Sequence, residues 1–324
     1  MWLLRAIQSL RPAHTLSATA HERRAAQPLL RRSVAIALAL ALLLSGGIAL
    51  AAPGAAYADA GGQRNRHATM DYLALGDSVA FGYNPLLDFT NANNFIGYPT
   101  PVANALDLKL TNAGCPGATS SYFISLSGPD WGCGQYSANF PLHVSYTTSQ
   151  LDFAVSFLKA HPRTRLVSID IGANDVFRLQ GLCSTASNPS ACIQQGLPEL
   201  FATLSANLNI IYGAIRHEAH YHGQLVALTY YSLNYQDATT TGIVQAMNQV
   251  ITARTTAWGG VIADGFDAFD LASAPYQGDP CAAGLLIRLS PTSCDVHPTV
   301  AGRDILAATI LAVVKHNADR SVAA

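Results

Sequence analysis

The chain has 324 residues, of which 19 are basic, 20 are acidic and six are cysteines, and half of all residues are hydrophobic. Residues 1–60 hold six of the basic residues and two of the acidic ones, so residues 61–324 carry a net negative charge. A mildly acidic segment without a basic stretch excludes nucleic acid as an expected partner, and its length suits one large α/β domain.

The first 60 residues read as an export leader. Arginines without lysines are followed by an apolar run over residues 34–50 and by an A-x-A site at Ala58-Asp59-Ala60. These are the three parts of a secretory signal. The alternative is an uncleaved membrane anchor, but the run is close to the shortest span and Ser45-Gly46-Gly47 interrupts it. We expect cleavage, a secreted monomer of residues 61–324 and no stable membrane span after removal.

Downstream of the leader, short apolar strand patterns alternate with helical ones. Strands are predicted over residues 70–76, 106–112, 165–171, 225–233 and 261–269, and helices over 150–160, 200–219, 241–258 and 300–316. This alternation indicates parallel βαβ units with helices on both faces of the sheet. Residues 113–148 and 178–197 are rich in Gly, Ser, Asn and Pro and are predicted to be loops over the site.

All six cysteines follow the leader, which favours disulfides in an exported protein. Fifteen pairings are formally open, and we expect the sequential one, which closes short loops: Cys115–Cys133, Cys183–Cys192 and Cys281–Cys294. None has the C-x-x-C spacing of a zinc or redox site, so cysteine-bound metal is not expected.

Polar residues follow the predicted strands at the points where a parallel sheet gathers its functional groups. Ser78 lies in the turn Gly76-Asp77-Ser78 after the first strand, where a hydroxyl can be exposed as a nucleophile. Asn174 follows the third strand, and its amide can donate to a developing oxyanion. Taken alone, a Gly-Asp-Ser sequence is a common turn, and Asn174-Asp175 is a common helix cap.

Two further residues complete this set. Gly117, after the second strand, can bring its backbone N–H close to a substrate oxygen, although it also suits a plain turn. His297, in the loop before the last helix, can take a proton from a serine and return it to the leaving group. Alone, it equally suits a capping or solvated histidine.

In order and residue type these four blocks resemble the SGNH, or GDSL-type, hydrolase family over nearly all of residues 71–324. The resemblance implies a flavodoxin-like three-layer α/β/α sandwich with a central parallel sheet. It also implies a secreted serine ester hydrolase that uses no cofactor or metal. Ser78 would be the nucleophile and His297 its base, and Ser78, Gly117 and Asn174 would form the oxyanion hole.

One departure concerns the acidic partner of His297. The family places its acid three residues before the histidine, where this chain has Cys294, whereas Asp295 lies only two before. Either Asp295 orients His297, which we favour, or a backbone carbonyl near Cys294 does so.

The substrate stays open at this stage. A small-molecule or lipid ester is the expected substrate, with a carbohydrate O-acetyl ester as the alternative and a non-catalytic exported binding protein as a second class. A zinc site at His217 and His220 lacks a third ligand, and Asp264, Asp267 and Asp270 lack a calcium-loop spacing. Tyr230 and Tyr231 suit either a substrate pocket or packing.

Overall fold

The computed structural model describes residues 70–322, with side chains as far as Val314. These residues belong to a unit that spans His67–Ala324. The predicted leader, residues 1–60, lies outside the described residues, and the single domain over residues 61–324 stays a prediction. Within residues 70–322, no helix is both long and apolar enough to cross a membrane.

Five parallel strands form the central sheet in the order β2-β1-β3-β4-β5. They are β1 (Asp71–Gly76), β2 (Lys109–Asn112), β3 (Thr164–Asp170), β4 (Gln224–Leu228) and β5 (Val261–Ala263). β1 and β3 are buried almost throughout, as expected of parallel strands that are covered on both faces. Their register puts Gly76 opposite Asp170, so both strands end at the same level.

Helices cover both faces of the sheet. They are α1 (Ser78–Phe81), α2 (Pro99–Leu106), α3 (Ser120–Ile124), α4 (Cys133–Asn139), α5 (Gln150–Ala160), α6 (Ala173–Cys183), α7 (Pro189–Gly213), α8 (Ala238–Ala257), α9 (Gly265–Ser273) and α10 (Val300–Val322). α10 contacts α2 and α9 on one face, whereas α7 contacts α3 and α8 on the other. These layers and the strand order confirm the predicted flavodoxin-like α/β/α fold.

Several predicted elements are wrong. Residues 113–148 are not one continuous loop, because α3 and α4 lie within them. Residues 178–197 are not a loop: they end α6 and begin α7, where Asn188 caps the helix by accepting from the N–H of Ala191 and Pro189 takes the first position. The predicted strand over 261–269 stops at Ala263, because Asp264 accepts from the N–H of Asp267 and starts α9. The strand predicted to reach residue 233 ends at Leu228.

Two antiparallel strands that the sequence did not predict form a separate hairpin, β6 (Leu286–Ser290) and β7 (Ser293–Pro298). His297 therefore lies on a strand and not in the predicted loop. Leu286 and Ile287 at its start are buried, and the rest of the hairpin is held by polar and covalent contacts. Arg288 donates to the carbonyls of Cys281 and Pro291, and Cys294 forms a disulfide with Cys281.

The disulfides are the three sequential pairs, with Cα–Cα distances of 5.5, 5.6 and 5.8 Å. Cys115–Cys133 joins the loop after β2 to the start of α4. Cys183–Cys192 joins the end of α6 to the first turn of α7. The loop after β2 is therefore held covalently to α4, and α6 is held covalently to α7.

Candidate functional site

The turn that carries Ser78 is shaped by close contact between two strands. Gly76 ends β1 with φ +136°, and a Cβ there would lie 2.3 Å from the carbonyl oxygen of Asp170, so only glycine fits. Gln150 holds the same residue from the opposite side: its Oε1 accepts from Gly76 N at 2.6 Å and its Nε2 donates to Gly76 O at 3.0 Å. Ser78 follows at the start of α1 and is 9% exposed.

Two backbone N–H groups at this edge have no partner within the described part of the chain, those of Ser78 and Gly117. Gly117 has φ +87°, and a Cβ on it would lie 2.8 Å from Cα of Gly132. The Cys115–Cys133 bridge brings these two segments together. Free N–H donors at a strand-end turn are the groups that an oxyanion hole requires.

Asn174 lies at the start of α6, directly after β3, and is buried. Its Nδ2 donates to Oδ2 of Asp77 at 3.1 Å and to the carbonyl of Ala118 at 3.0 Å. The amide thus links the Ser78 turn to the Gly117 loop. Because both of its hydrogens are engaged, donation to an oxyanion would require sharing or release of one of these bonds.

Asp175 has a role that the sequence did not predict. Its carboxylate accepts from the backbone N–H of Ser120 at 2.9 Å and from the Ser120 hydroxyl at 2.6 Å. Burial raises the pKa of Asp175, whereas these two bonds act in the opposite direction. The residue next to Asn174 therefore anchors α3, which follows directly after the Gly117 loop.

His297 and Asp295 lie on the same face of β7, because alternate residues of a strand point to the same side. Asp295 Oδ1 hydrogen-bonds Nδ1 of the imidazole and also accepts from His297 N at 3.0 Å. Burial opposes ionisation of Asp295, but the bond and charge of His297 outweigh it, so the pKa of this carboxyl is below its usual value. With Nδ1 occupied, Nε2 is the nitrogen left to face a substrate or serine.

Ser78 and His297 lie on neighbouring elements, since α1 contacts β7. No hydrogen bond joins Ser78 to His297 among the bonds of residues 70–322. The imidazole instead packs at 4.8 Å, between ring centroids, from Tyr83. The two side chains that the sequence paired are thus brought to one edge of the molecule without a hydrogen bond between them.

Two tyrosines after β4 contribute more than packing. Tyr230 donates its hydroxyl to Oδ2 of Asp77 at 2.6 Å, and Tyr231 donates to the carbonyl of Val296, beside His297, at 2.7 Å. Their position after a strand end was a sequence signal equal to that of Asn174. Tyrosine is common in cores, however, and the pattern does not reveal which hydroxyl reaches a carboxylate.

A group of aromatic side chains, which we call the aromatic cluster, lies beside His297. It consists of Phe81, Tyr83, Phe89, Phe95, Tyr136 and Phe140. The segment between α1 and α2 exposes three further apolar side chains, Leu86, Leu87 and Ile96. Phe81, Phe95 and Tyr136 are buried, whereas Tyr83, Phe89 and Phe140 are partly exposed, so the imidazole borders an apolar group of side chains through Tyr83. A separate cavity of about 240 Å³ lies behind the Cys115–Cys133 bridge, and its lining contains neither Ser78 nor His297.

The residues considered for metal binding lie elsewhere. His217 lies in a single π-helical turn, Ala214–Glu218, after α7, and Asp264 caps α9. Among the described residues, no group of three metal-ligating side chains is brought together.

The fold and these strand-end residues are those expected of a serine hydrolase with a flavodoxin-like sheet, and comparison with known proteins gives the family. The model of the GDSL-like lipase/acylhydrolase family matches residues 74–305, which is more than half of the chain. The chain belongs to this family, as its resemblance predicted. It is accordingly a carboxylic ester hydrolase. No curated protein matches the chain.

Solved structures share the fold. The extracellular lipase of Streptomyces rimosus has a TM-score of 0.50 and 20% identity, covering 75% of this chain and 99% of its own. Phospholipase A1 of Streptomyces albidoflavus NA297 has a TM-score of 0.49 and 20% identity, and the match covers 76% of this chain and 99% of its own. An acetylxylan esterase of Geobacillus stearothermophilus has a TM-score of 0.48 and 18% identity, and the match covers 75% of this chain and 92% of its own. At these identities, the likeness concerns the fold alone.

Proposed function

We propose that the protein is an exported serine esterase that cleaves carboxylic esters with an apolar acyl or alcohol group through an acyl-enzyme on Ser78. The observation that carries the proposal is the joint presence, at one sheet edge, of an Asp295–His297 pair and two unpartnered N–H groups. This combination supplies a base and oxyanion donors around a strand-end serine.

The chemistry follows from these groups. His297 Nε2 takes the proton of the Ser78 hydroxyl as its oxygen bonds to the ester carbonyl carbon. The resulting oxyanion accepts hydrogen bonds from the N–H groups of Ser78 and Gly117, with Asn174 as a further donor. The C–O bond to the alcohol then breaks, and the imidazolium returns its proton to the departing oxygen. Water, deprotonated by His297, hydrolyses the acyl-enzyme by the reverse sequence.

Active-site labelling tests the nucleophile. A fluorophosphonate probe should label the folded wild-type protein at one serine, and Ser78→Ala should abolish both labelling and ester hydrolysis. Ser184→Ala, in an exposed turn after α6, is the matched control and should label normally. Labelling that persists in Ser78→Ala would contradict the assignment.

The aromatic cluster supports an apolar substrate. Phe89 is half-buried, its ring lies 5.6 Å from that of Tyr83, and Tyr83 in turn packs on His297. Such a surface excludes water from an alkyl chain but offers few hydrogen-bond donors to sugar hydroxyls. It therefore favours a lipid or simple ester over a polysaccharide acetate.

A panel of p-nitrophenyl esters from acetate to palmitate, run beside acetylated xylan, tests this preference. Phe89→Ala should lower kcat/KM for the longer esters by about 10- to 100-fold and for acetate much less, since the lost contact is apolar. Leu271→Ala, on the exposed face of α9, is the control. Activity on acetylated xylan without activity on longer acyl chains would favour the carbohydrate O-acetyl esterase.

Export is supported by the cysteines. Three bridges in one domain are typical of proteins that fold in an oxidising compartment. The leader over residues 1–60 and its cleavage are part of the proposal, and N-terminal sequencing of the protein recovered from culture medium tests them.

A further inference from the structure

Two carboxyl groups lie buried against each other beneath the Ser78 turn. Asp77 and Asp170 are each 1% exposed, and their carboxyls accept hydrogen bonds from two adjacent backbone N–H groups, those of Val79 and Ala80 respectively. The backbone N–H of Asp77 also donates to the carbonyl of Asp170 at 3.1 Å. We call these residues the Asp77–Asp170 pair. Asp170 takes no direct part in the proposed hydrolysis, so its burial there calls for a physical explanation.

No cation neutralises this pair within the described residues. The ion pairs there are His297–Asp295 and Arg303–Asp304. The ionisable groups that face the pair are Tyr72 on β1, Tyr98 before α2, Tyr230 and Tyr231 after β4, Asp175 on α6 and His297 on β7. Burial raises the pKa of all four tyrosines, so they are neutral.

Two ionised carboxylates that are buried side by side without a cation repel each other strongly, and one proton is retained instead. Burial, and next the charge of Asp77, raise the pKa of Asp170 well above its usual value.

The hydrogen bonds identify which carboxyl keeps the charge. Asp77 accepts from Val79 N at 2.9 Å, from the Tyr230 hydroxyl and from Asn174 Nδ2. Among the described residues, Asp170 accepts from two donors, the Tyr98 hydroxyl at 2.8 Å and Ala80 N at 3.2 Å. Extra donors stabilise the ionised form, so the proton belongs on Asp170.

We propose that Asp77 and Asp170 hold one proton between them, that Asp170 carries it and donates to the Asp77 carboxylate, and that the pair positions the turn bearing Ser78. The pair accepts the N–H groups of the two residues after Ser78, Val79 and Ala80, and leaves that of Ser78 free. Asp170 is thus a positioning residue. This role rests on the proposed function of Ser78, whereas the shared proton does not.

The pH dependence of unfolding tests the shared proton without any measurement of enzyme activity. Unfolded Asp170 ionises near pH 4, so folded protein that keeps this proton binds one more proton than the unfolded chain at higher pH. From pH 5.5 to 7.5 the unfolding equilibrium constant of the wild type should therefore rise about tenfold per pH unit relative to that of Asp170→Asn, which cannot ionise. Urea unfolding at each pH gives both constants.

Asp237→Asn, at the exposed cap of α8, is the matched control. The ratio of its unfolding equilibrium constant to that of the wild type should stay constant over this pH range. A flat ratio for Asp170→Asn would overturn the proposal. Infrared spectroscopy of the wild type keeps the test decisive if that variant does not fold. The carbonyl band of a protonated carboxylic acid should be present at pH 7.5, and its absence would equally overturn the shared proton.

Activity tests the positioning role separately. Asp170→Ala should lower kcat about tenfold or more with little change in KM, and Asp170→Asn should recover most of that loss because its amide restores a donor to Asp77. The wild type should lose kcat at alkaline pH before Asp170→Asn does. Equal kcat for Asp170→Ala and the wild type would exclude the positioning role, even if the shared proton is found. Absence of fluorophosphonate labelling at Ser78 would contradict only the proposed function and not the shared proton.

Discussion

Asp295 contacts His297 although it lies one residue closer than the spacing typical of the family. The three-residue spacing suits a loop or turn, whereas β7 is extended and returns to the same face after two residues. The second alternative, a backbone carbonyl near Cys294, is not the partner of Nδ1 in this structure. A local change from loop to strand thus compensates for the shifted acid.

Replacing this acid measures its contribution. Asp295→Asn should lower kcat by about 10²- to 10⁴-fold, because the imidazole loses the acceptor that fixes its tautomer and stabilises its protonated form. Steady-state hydrolysis of a p-nitrophenyl ester gives the ratio. Asp304→Asn removes a carboxylate from an exposed ion pair with Arg303 and should retain wild-type kcat. Similar rates for both variants would leave His297 in a dyad with Ser78.

Among the secondary-structure elements, the hairpin and not the central sheet carries His297, the proposed base. The Cys281–Cys294 bridge and the bonds from Arg288 fix this hairpin at its start and its turn. Cys183–Cys192, by contrast, closes the end of α6 that lies away from Asn174. The Cys281–Cys294 bridge therefore positions the hairpin that carries His297, whereas the Cys183–Cys192 bridge positions the junction of α6 and α7.

Removing each bridge separates stability from positioning. Paired serine substitutions at Cys281 and Cys294, or at Cys183 and Cys192, should each reduce the free energy of unfolding by about 2–4 kcal/mol. Only the first pair should also lower kcat, by about 10- to 100-fold, since His297 loses its fixed position. Urea unfolding and ester hydrolysis at 25 °C measure the two effects. An equal fall in kcat for both variants would show that the loss of activity is not specific to the bridge that holds His297.

At the scale of the whole molecule, the strand order places the site. The chain reverses direction across the sheet between β1 and β3, and their carboxyl ends carry Ser78 and Asn174. A crevice forms at such a switch point in open α/β sheets. The site is therefore made from segments that are far apart in the chain, and its buried charges affect global stability.

Stability should be greatest at mildly acidic pH. Burial raises the pKa of Asp170 and Asp175, so the folded protein holds protons that the unfolded chain releases above about pH 4, and stability falls as pH rises. Burial lowers the pKa of His143, so stability also falls below about pH 6.5, where the unfolded chain gains a proton. The urea midpoint should be higher at pH 6 than at pH 8.5. A midpoint that rises over this range would contradict the prediction.

The sequence by itself determined the strand-helix alternation, the fold class and the strand-end positions of Ser78, Gly117 and Asn174. These features are local, because the spacing of apolar residues and the turn residues can be recognised within a few positions of sequence. Parallel connections between the strands then bring the strand ends to one edge of the sheet. Cysteine pairing was legible for the same reason, since each bridge joins near neighbours in sequence.

Only the tertiary structure decided the partners of the buried carboxyls and the strand beneath His297. Tyr230 reaches Asp77 across 153 residues of sequence, and Asn174 reaches it across 97. Contacts of this kind depend on how layers pack, and hydroxyl or carboxyl groups leave no periodic pattern that reveals their partner. The hairpin escaped prediction because its buried residues, Leu286 and Ile287, are too few to form a periodic pattern, and a disulfide and hydrogen bonds from Arg288 hold the rest.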